Sequence, residues 1–168
     1  MGQAQVLNIR HSTPGDDDAI WGMLRPVIET GETYTFPRNL GRDEALGYWL
    51  SPAHAVYLAE IGEVPVGTYW LRSNQPGGGD HVCNCAYVTA SGAEGRGVAR
   101  EMLAHSLELA RERGFRAMQF NFVVATNTRA IATWERAGFS VVGRLPGAFR
   151  HPREGFVDAL VMWKDLGA

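Results

Sequence analysis

Between the strand-like run His81 to Thr89 and the helix-periodic run Gly97 to Arg113 stands Ser91-Gly92-Ala93-Glu94-Gly95-Arg96-Gly97-Val98-Ala99. Gly95 and Gly97 admit positive φ and close approach, so successive backbone N–H groups at the helix start can face an anion such as a pyrophosphate. A bare Gly-x-Gly is a common turn; the strand before it and the strong helix after it give this one its weight. A dinucleotide fold would place Gly-x-Gly-x-x-Gly after the first strand, with an acidic residue about 20 positions on. Here Arg100 holds the third position and hairpin-connected strands precede the loop. No Gly-Lys-Ser or Gly-Lys-Thr follows, which excludes a Walker-type phosphate loop. The chain must therefore deliver a helix N-terminus to a strand end in a sheet that begins with hairpins.

The remaining elements fit such a sheet. Val6 to His11 reads as a strand, and Ser12-Thr13-Pro14 with the acidic run to Asp18 opens a helix. That helix carries Ile20, Trp21, Leu24, Val27 and Ile28 at helical spacing; Pro26 predicts a kink or break near Arg25, with the end by Gly31. Glu32 to Leu40 reads as loop and Arg42 to Leu50 as a short helix. Ala55 to Ile61 and Val64 to Ser73 form a hairpin about Gly62-Glu63, and Gln75 to Asp80 is the tip leading to His81 to Thr89. In Gly97 to Arg113 the apolar residues Val98, Met102, Leu103, Leu107 and Ala110 keep the helical period, and Gly114 supplies the stop. A strand (Ala117 to Val124), a helix from Thr126-Asn127 to Gly138, a strand (Phe139 to Arg144), a loop (Leu145 to Glu154) and a last strand (Phe156 to Trp163) follow. One mixed sheet flanked by helices accommodates that order.

Composition narrows the function classes. The 168 residues predict a single domain over 1–168, and 45% hydrophobic with 20% charged residues excludes disorder and a coiled coil. Sixteen Lys and Arg against eighteen Asp and Glu give a net charge of −2, which supplies no overall field for nucleic acid or anionic lipid. Apolar runs such as Ala55 to Ala59 fall far short of the roughly 20 residues of a membrane span, and no basic-then-apolar leader opens the chain, so a soluble cytoplasmic protein is expected. Cys83 and Cys85, two apart in a strand, sit near the upper Cα separation for a disulfide and read as buried thiols. Five histidines are scattered without metal-ligand spacing, so no metal is expected.

The glycine loop and a second segment together resemble the GNAT superfamily of acyl-CoA-dependent N-acetyltransferases. The family's pyrophosphate loop follows Arg/Gln-x-x-Gly-x-Gly/Ala between strand four and helix three, and Glu94-Gly95-Arg96-Gly97-Val98-Ala99 occupies it. Asn127-Thr128-Arg129-Ala130-Ile131-Ala132-Thr133-Trp134-Glu135-Arg136-Ala137-Gly138-Phe139 is similar to its second motif, Asn-x-x-Ala followed by an aromatic residue and Gly-Phe. The resemblance implies an α/β (α+β) GNAT fold: a central mixed, mostly antiparallel sheet of about seven strands, splayed between strands 4 and 5 and flanked by about four helices. It implies acetyl-CoA as acyl donor, no metal, and cofactor contacts from Tyr87, Val88, Glu94, Gly95, Arg96, Gly97, Val98, Ala99, Arg100, Asn127 and Trp134. Two residues depart from the pattern. Glu94 stands where Arg or Gln is usual, which shifts phosphate contacts to Arg96 and Arg100. Trp134 stands where a tyrosine often protonates the departing thiolate, and an indole has no such proton to give.

Asparagine is depleted in strands, so Asn84 and Asn121, within the fourth and fifth strands, need partners or a role. Each could satisfy an unpaired backbone group at the splay; the resemblance places both beside the entering acyl-pantetheine. Asn127 with Thr126 reads as a helix N-cap that can also touch pantetheine. Cys-Asn-x-x-Tyr-Val around Asn84 and Phe-Asn-x-Val-x-x-x-Asn-Thr around Asn121 look like the azetidine-2-carboxylate, or proline-analogue, N-acetyltransferase subgroup. That implies a small amino-acid-like acceptor attacking directly, with Asn84 and Asn121 orienting the amine and the developing oxyanion. The loop after the first helix would form the acceptor lid, with Glu32, Thr33 and Tyr34 at the substrate. Arg150, His151 and Arg153 read as a solvated basic loop. Apolar residues near Val157 to Trp163, taken as a sheet edge, leave room for a homodimer. The rival readings are acetylation of another small amine or a peptide N-terminus, a non-catalytic acyl-CoA-binding module, and a nucleotide-binding structural domain.

Overall fold

The computed structural model describes residues 6–167. Its strands are β1 (Leu7–His11), β2 (Ala55–Ile61), β3 (Val64–Ser73), β4 (Val82–Thr89), β5 (Ala117–Val124), β6 (Ser140–His151) and β7 (Gly155–Asp165); its helices are α1 (Asp17–Thr30), α2 (Arg42–Trp49), α3 (Val98–Glu112) and α4 (Thr128–Arg136). The strands make one seven-stranded sheet in the order β1-β2-β3-β4-β5-β7-β6, antiparallel except for the β4–β5 pair. Strand number, helix number and mixed pairing agree with the sequence expectation.

Alternation along the central strands divides the core into two layers. On one face Tyr69, Leu71, Cys83 and Cys85 pack against Val98, Met102, Leu103 and Leu107 of α3 and Trp134 of α4. On the other, Val56, Leu58, Trp70 and Val88 pack against Ile20, Leu24 and Ile28 of α1 and Leu46 and Trp49 of α2. Gly67 sets how close α3 comes to the sheet: a Cβ there would lie 2.9 Å from Val98 Cγ1 and 2.8 Å from Met102 Sδ. Only a bare Cα lets the first turn of α3 rest on β3 at that distance.

Three expectations are corrected. Helix α1 does not break near Arg25 but runs through Pro26 to Thr30, and ends at Gly31, φ 65°, where the sequence places its end. Burial of Ile20, Met23, Leu24 and Ile28 outweighs the one hydrogen bond that Pro26 removes. The segment read as a loop, Leu145 to Glu154, is mostly strand: β6 continues to His151, paired with Gly155 of β7. Pro146 and Gly147 signal a turn, but on an edge strand the register shift between Leu145 and Phe149 absorbs them as an irregularity. Finally, β7 is no edge, since β5 and β6 flank it. The exposed apolar edge is β6, with Val141, Val142 and Leu145, joined by Phe156 at 71% exposure.

Candidate active site

Strands β4 and β5 are paired only at Val82↔Ala117 and Cys83↔Met118. Beyond that point they part, while β5 keeps β7 through a register shift between Phe120 and Val123. A cavity of about 730 Å³ fills the opening and reaches from α3 and α4 on one side to α1 and α2 on the other.

At the α3 end the wall is the glycine loop. Gly92, Gly95 and Gly97 take φ of 84°, 78° and 80°, the left-handed region that favours glycine. Gly97 is also the N-cap of α3, so the first N–H groups of that helix face the cavity mouth without intrahelical partners. Glu94 turns back on its own loop and accepts from the Gly92 N–H at 2.7 Å, bracing the turn. Arg96 does not line the cavity; Gly95, Gly97, Val98, Ala99 and Arg100 do. Arg100 pairs with the adjacent Glu101 at 3.1 Å on the exposed rim. A second cation at this mouth, Arg129 of α4, went unassigned in the sequence; its Nη2 lies 3.5 Å from where a Cβ on Gly95 would stand. Asn127 caps α4, its Oδ1 accepting from the Ala130 N–H at 3.4 Å, and lines the cavity.

Where the strands part, the wall is aromatic. Trp134, 8% exposed, has ring centroids 5.2 Å from Tyr87 and 5.1 Å from Phe120. The Tyr87 hydroxyl donates to Ser106 Oγ at 2.7 Å, and Ser106 donates onward to the Leu103 carbonyl at 2.8 Å. Burial holds the Tyr87 phenol well above its ordinary range, so it keeps its proton. The Tyr87 carbonyl, past the last β4–β5 pair, accepts from the Tyr34 hydroxyl at 2.8 Å. One bond thus ties the loop after α1 to the splayed strand. Burial also pushes the Cys83 thiol up to about 12 and raises Cys85, which removes both as nucleophiles at neutral pH.

At the α1–α2 end the lining includes Thr33, Tyr34, Tyr48, Val88, Trp70, Arg72, Asn84 and Asn121. The two asparagines converge here but differ in state. Asn121 donates to Asn74 Oδ1 at 2.7 Å and accepts from Gln119 Nε2 at 2.9 Å, so its amide is held in a polar chain. Asn84 is 9% exposed and lies opposite Arg72 in the β3–β4 register. Glu32 pairs with Arg153 and lines a surface recess with Pro26, Glu29 and Arg38; it is not among the residues that line the cavity, although Thr33 and Tyr34 beside it are. In the basic segment Arg150 and Arg153 are exposed as expected, Arg150 lying over the Phe156 ring, whereas His151 is buried, its Nδ1 accepting from the Arg153 and Glu154 N–H groups at 3.2 Å.

Two residues of β3 were read from sequence only as strand. Trp70 Nε1 and Arg72 Nε are the buried side-chain polar atoms without a hydrogen-bond partner among the described residues. Such an orphaned donor costs about 1–3 kcal/mol. Trp70 is held by His54, stacked on it at 4.2 Å and 9°, whose Nδ1 contacts the Trp49 carbonyl at 3.0 Å. Burial, aided by the Arg72 charge, lowers the His54 pKa and favours a neutral ring there. An arginine inside an apolar strand was the available signal. Among the described residues no cluster of three His, Cys, Asp or Glu could hold a metal ion, and no helix is long and apolar enough to cross a membrane.

A sheet forced open beside a cradle of backbone amides, with an aromatic wall and polar groups at the far end, defines an acyl-transfer type of site. The family comparison gives the same class: residues 21–139 match the acetyltransferase (GNAT) family, and the chain belongs to that family. It is 30% identical over 151 residues, 80% of this chain and 72% of the other, to N-acetyltransferase aca1 of Schizosaccharomyces pombe. It superposes at TM-score 0.92 and 34% identity on a GCN5-related N-acetyltransferase from Kribbella flavida, covering 97% of this chain and 99% of that one. A Salmonella typhimurium acetyltransferase, yncA, solved with acetyl-CoA, shares the fold at TM-score 0.84 and 18% identity over 97% and 95% of the two chains.

Proposed function

We propose that this chain moves an acetyl group from acetyl-CoA to the amine of a small amino-acid-like acceptor by direct attack. The observation that carries the reading is the gap that opens after Cys83 and Met118, with the amide cradle at one end and Asn84 and Asn121 at the other. Acetyl-CoA enters with its pyrophosphate on the Gly95–Arg100 turn and its pantetheine between β4 and β5; Arg100 and Arg129 add cations at the mouth. The thioester reaches the splay near Tyr87 and Val88, and the amine approaches from the Tyr34 side. Asn84 orients the amine and supplies a hydrogen bond to the developing oxyanion, while Asn121, fixed by Asn74 and Gln119, shapes the floor. Both thiols are protonated, which supports transfer without an acyl-cysteine. Trp134 packs the thioester and lends no proton, so as the C–N bond forms and the C–S bond breaks the nitrogen gives its proton to water and the CoA thiolate takes one from water. The subgroup resemblance around Asn84 and Asn121 favours a small acceptor over a peptide. Self-association, if it occurs, would use the apolar β6 edge.

The test is thiol release from acetyl-CoA over a panel of proline analogues, free amino acids and short peptides, beside Asn84→Ala. Release with small amino acids, with kcat/KM down about 10²-fold in the variant, is expected from loss of one oriented oxyanion donor. CoA binding without release from any amine would instead favour a non-catalytic acyl-CoA-binding module.

A further inference from the structure

Resting on that transfer reading, we propose that Trp70 and Arg72 form an anion-reading subsite that selects acceptors carrying a carboxylate next to the amine. The two donors are two residues apart on β3, and therefore on one face of the strand. Both line the acceptor end of the cavity, and both carry a buried nitrogen with no hydrogen-bond partner among the described residues. Nearly all buried donors in folded proteins are satisfied, so two orphans in one pocket point to a ligand that supplies acceptor oxygens. The Arg72 Cζ lies over the Trp70 ring, 5.5 Å from its centroid, a cation–π contact that keeps the two donors side by side.

The charge distribution agrees. Glu94 is the only carboxylate lining the cavity among the described residues, and it sits at the opposite end, bonded to the Gly92 N–H. A cationic tail entering beside Arg72 would therefore meet an uncompensated positive charge, whereas a carboxylate would meet the complementary one. Arg72 also lies opposite Asn84 on the neighbouring strand, about 4.8 Å across the ladder. A carboxylate on Arg72 thus leaves an α-amine within reach of Asn84, the residue given the amine above. Because a peptide N-terminus carries an amide where a free amino acid carries its carboxylate, the subsite also discriminates between these two acceptor types.

The measurement is the ratio of kcat/KM for azetidine-2-carboxylate to that for azetidine-2-carboxamide, with proline and prolinamide as a second pair. The unaltered protein is expected to favour the carboxylate by about 10- to 100-fold, the range of a charged hydrogen-bond pair. Arg72→Gln is expected to collapse that ratio towards one, Arg72→Lys to restore part of it, and Trp70→Phe to give an intermediate value. CoA binding by calorimetry on each variant shows that it is folded. A ratio near one in the unaltered protein, or one that survives Arg72→Gln, overturns the subsite while leaving acetyl transfer standing. No thiol release from any amine by the unaltered, CoA-binding protein overturns the transfer reading and the acceptor subsite together.

Discussion

Replacing Tyr34 by Phe removes one oxygen, the one that donates to the Tyr87 carbonyl at 2.8 Å and joins the loop after α1 to β4. The ring contacts stay: Phe36 stacks at 5.6 Å and Trp49 meets the ring edge-on at 6.4 Å. Burial raises the Tyr34 phenol above its ordinary pKa, so the bond is between two neutral groups. An unpaired buried carbonyl costs about 1–3 kcal/mol, and water from the neighbouring cavity can recover part of that, leaving about 1–2 kcal/mol. At roughly 2–4 °C per kcal/mol for a domain of this size, Tm should fall by about 2–8 °C. Tyr48→Phe is the control, because Tyr48 is 43% exposed, and it should shift stability by less than about 0.5 kcal/mol. Thermal unfolding of both variants, with acceptor KM and CoA affinity, is the assay. Acceptor KM should rise in Tyr34→Phe while CoA affinity holds, since the cradle lies at the other end of the cavity. A Tyr34→Phe protein as stable as its parent, with unchanged acceptor KM, would refute the idea that this bond positions the acceptor wall.

Two further outcomes are expected. Gly97→Ala places a Cβ at φ 80°, costs about 1–2 kcal/mol and tilts the amides at the start of α3, so CoA affinity measured by calorimetry should drop at least about tenfold. Acid titration should expose Asp16, which the Arg10 guanidinium, at 2.8 Å, holds at about 2 against an ordinary 3.8; its stabilisation of about 2 kcal/mol is complete above pH 4 and disappears as pH falls from 4 towards 2, where Asp16→Asn should abolish that phase of the unfolding profile.

Much of this arrangement was legible in the sequence because it is local. The glycines at 92, 95 and 97, the cap at Asn127 and the helical period of α3 are each written within a short stretch of sequence. Features that depend on residues far apart were not. Glu32 goes to the acceptor in the sequence reading only as part of the lid that the family resemblance implies; its partner is Arg153, and only the tertiary fold brings the two together. β6 was cut short because Pro146 and Gly147 are turn signals whose meaning changes on an edge strand paired to β7. Trp70 and Arg72 passed as ordinary strand residues, since an orphaned donor is a fact about surroundings and not about residue type. Asn121 was given a role equal to that of Asn84, but Asn74, across the gap in sequence, holds its amide and separates the two.

The most direct test of acetyl transfer by direct attack is the initial-velocity pattern with acetyl-CoA and azetidine-2-carboxylate varied together, read alongside the mass of the protein after incubation with acetyl-CoA alone. Double-reciprocal lines that intersect, with the protein mass unchanged, are predicted, because the amine and the thioester must occupy the β4–β5 gap at the same time. Parallel lines, or a protein heavier by one acetyl group at Cys83 or Cys85, would contradict it.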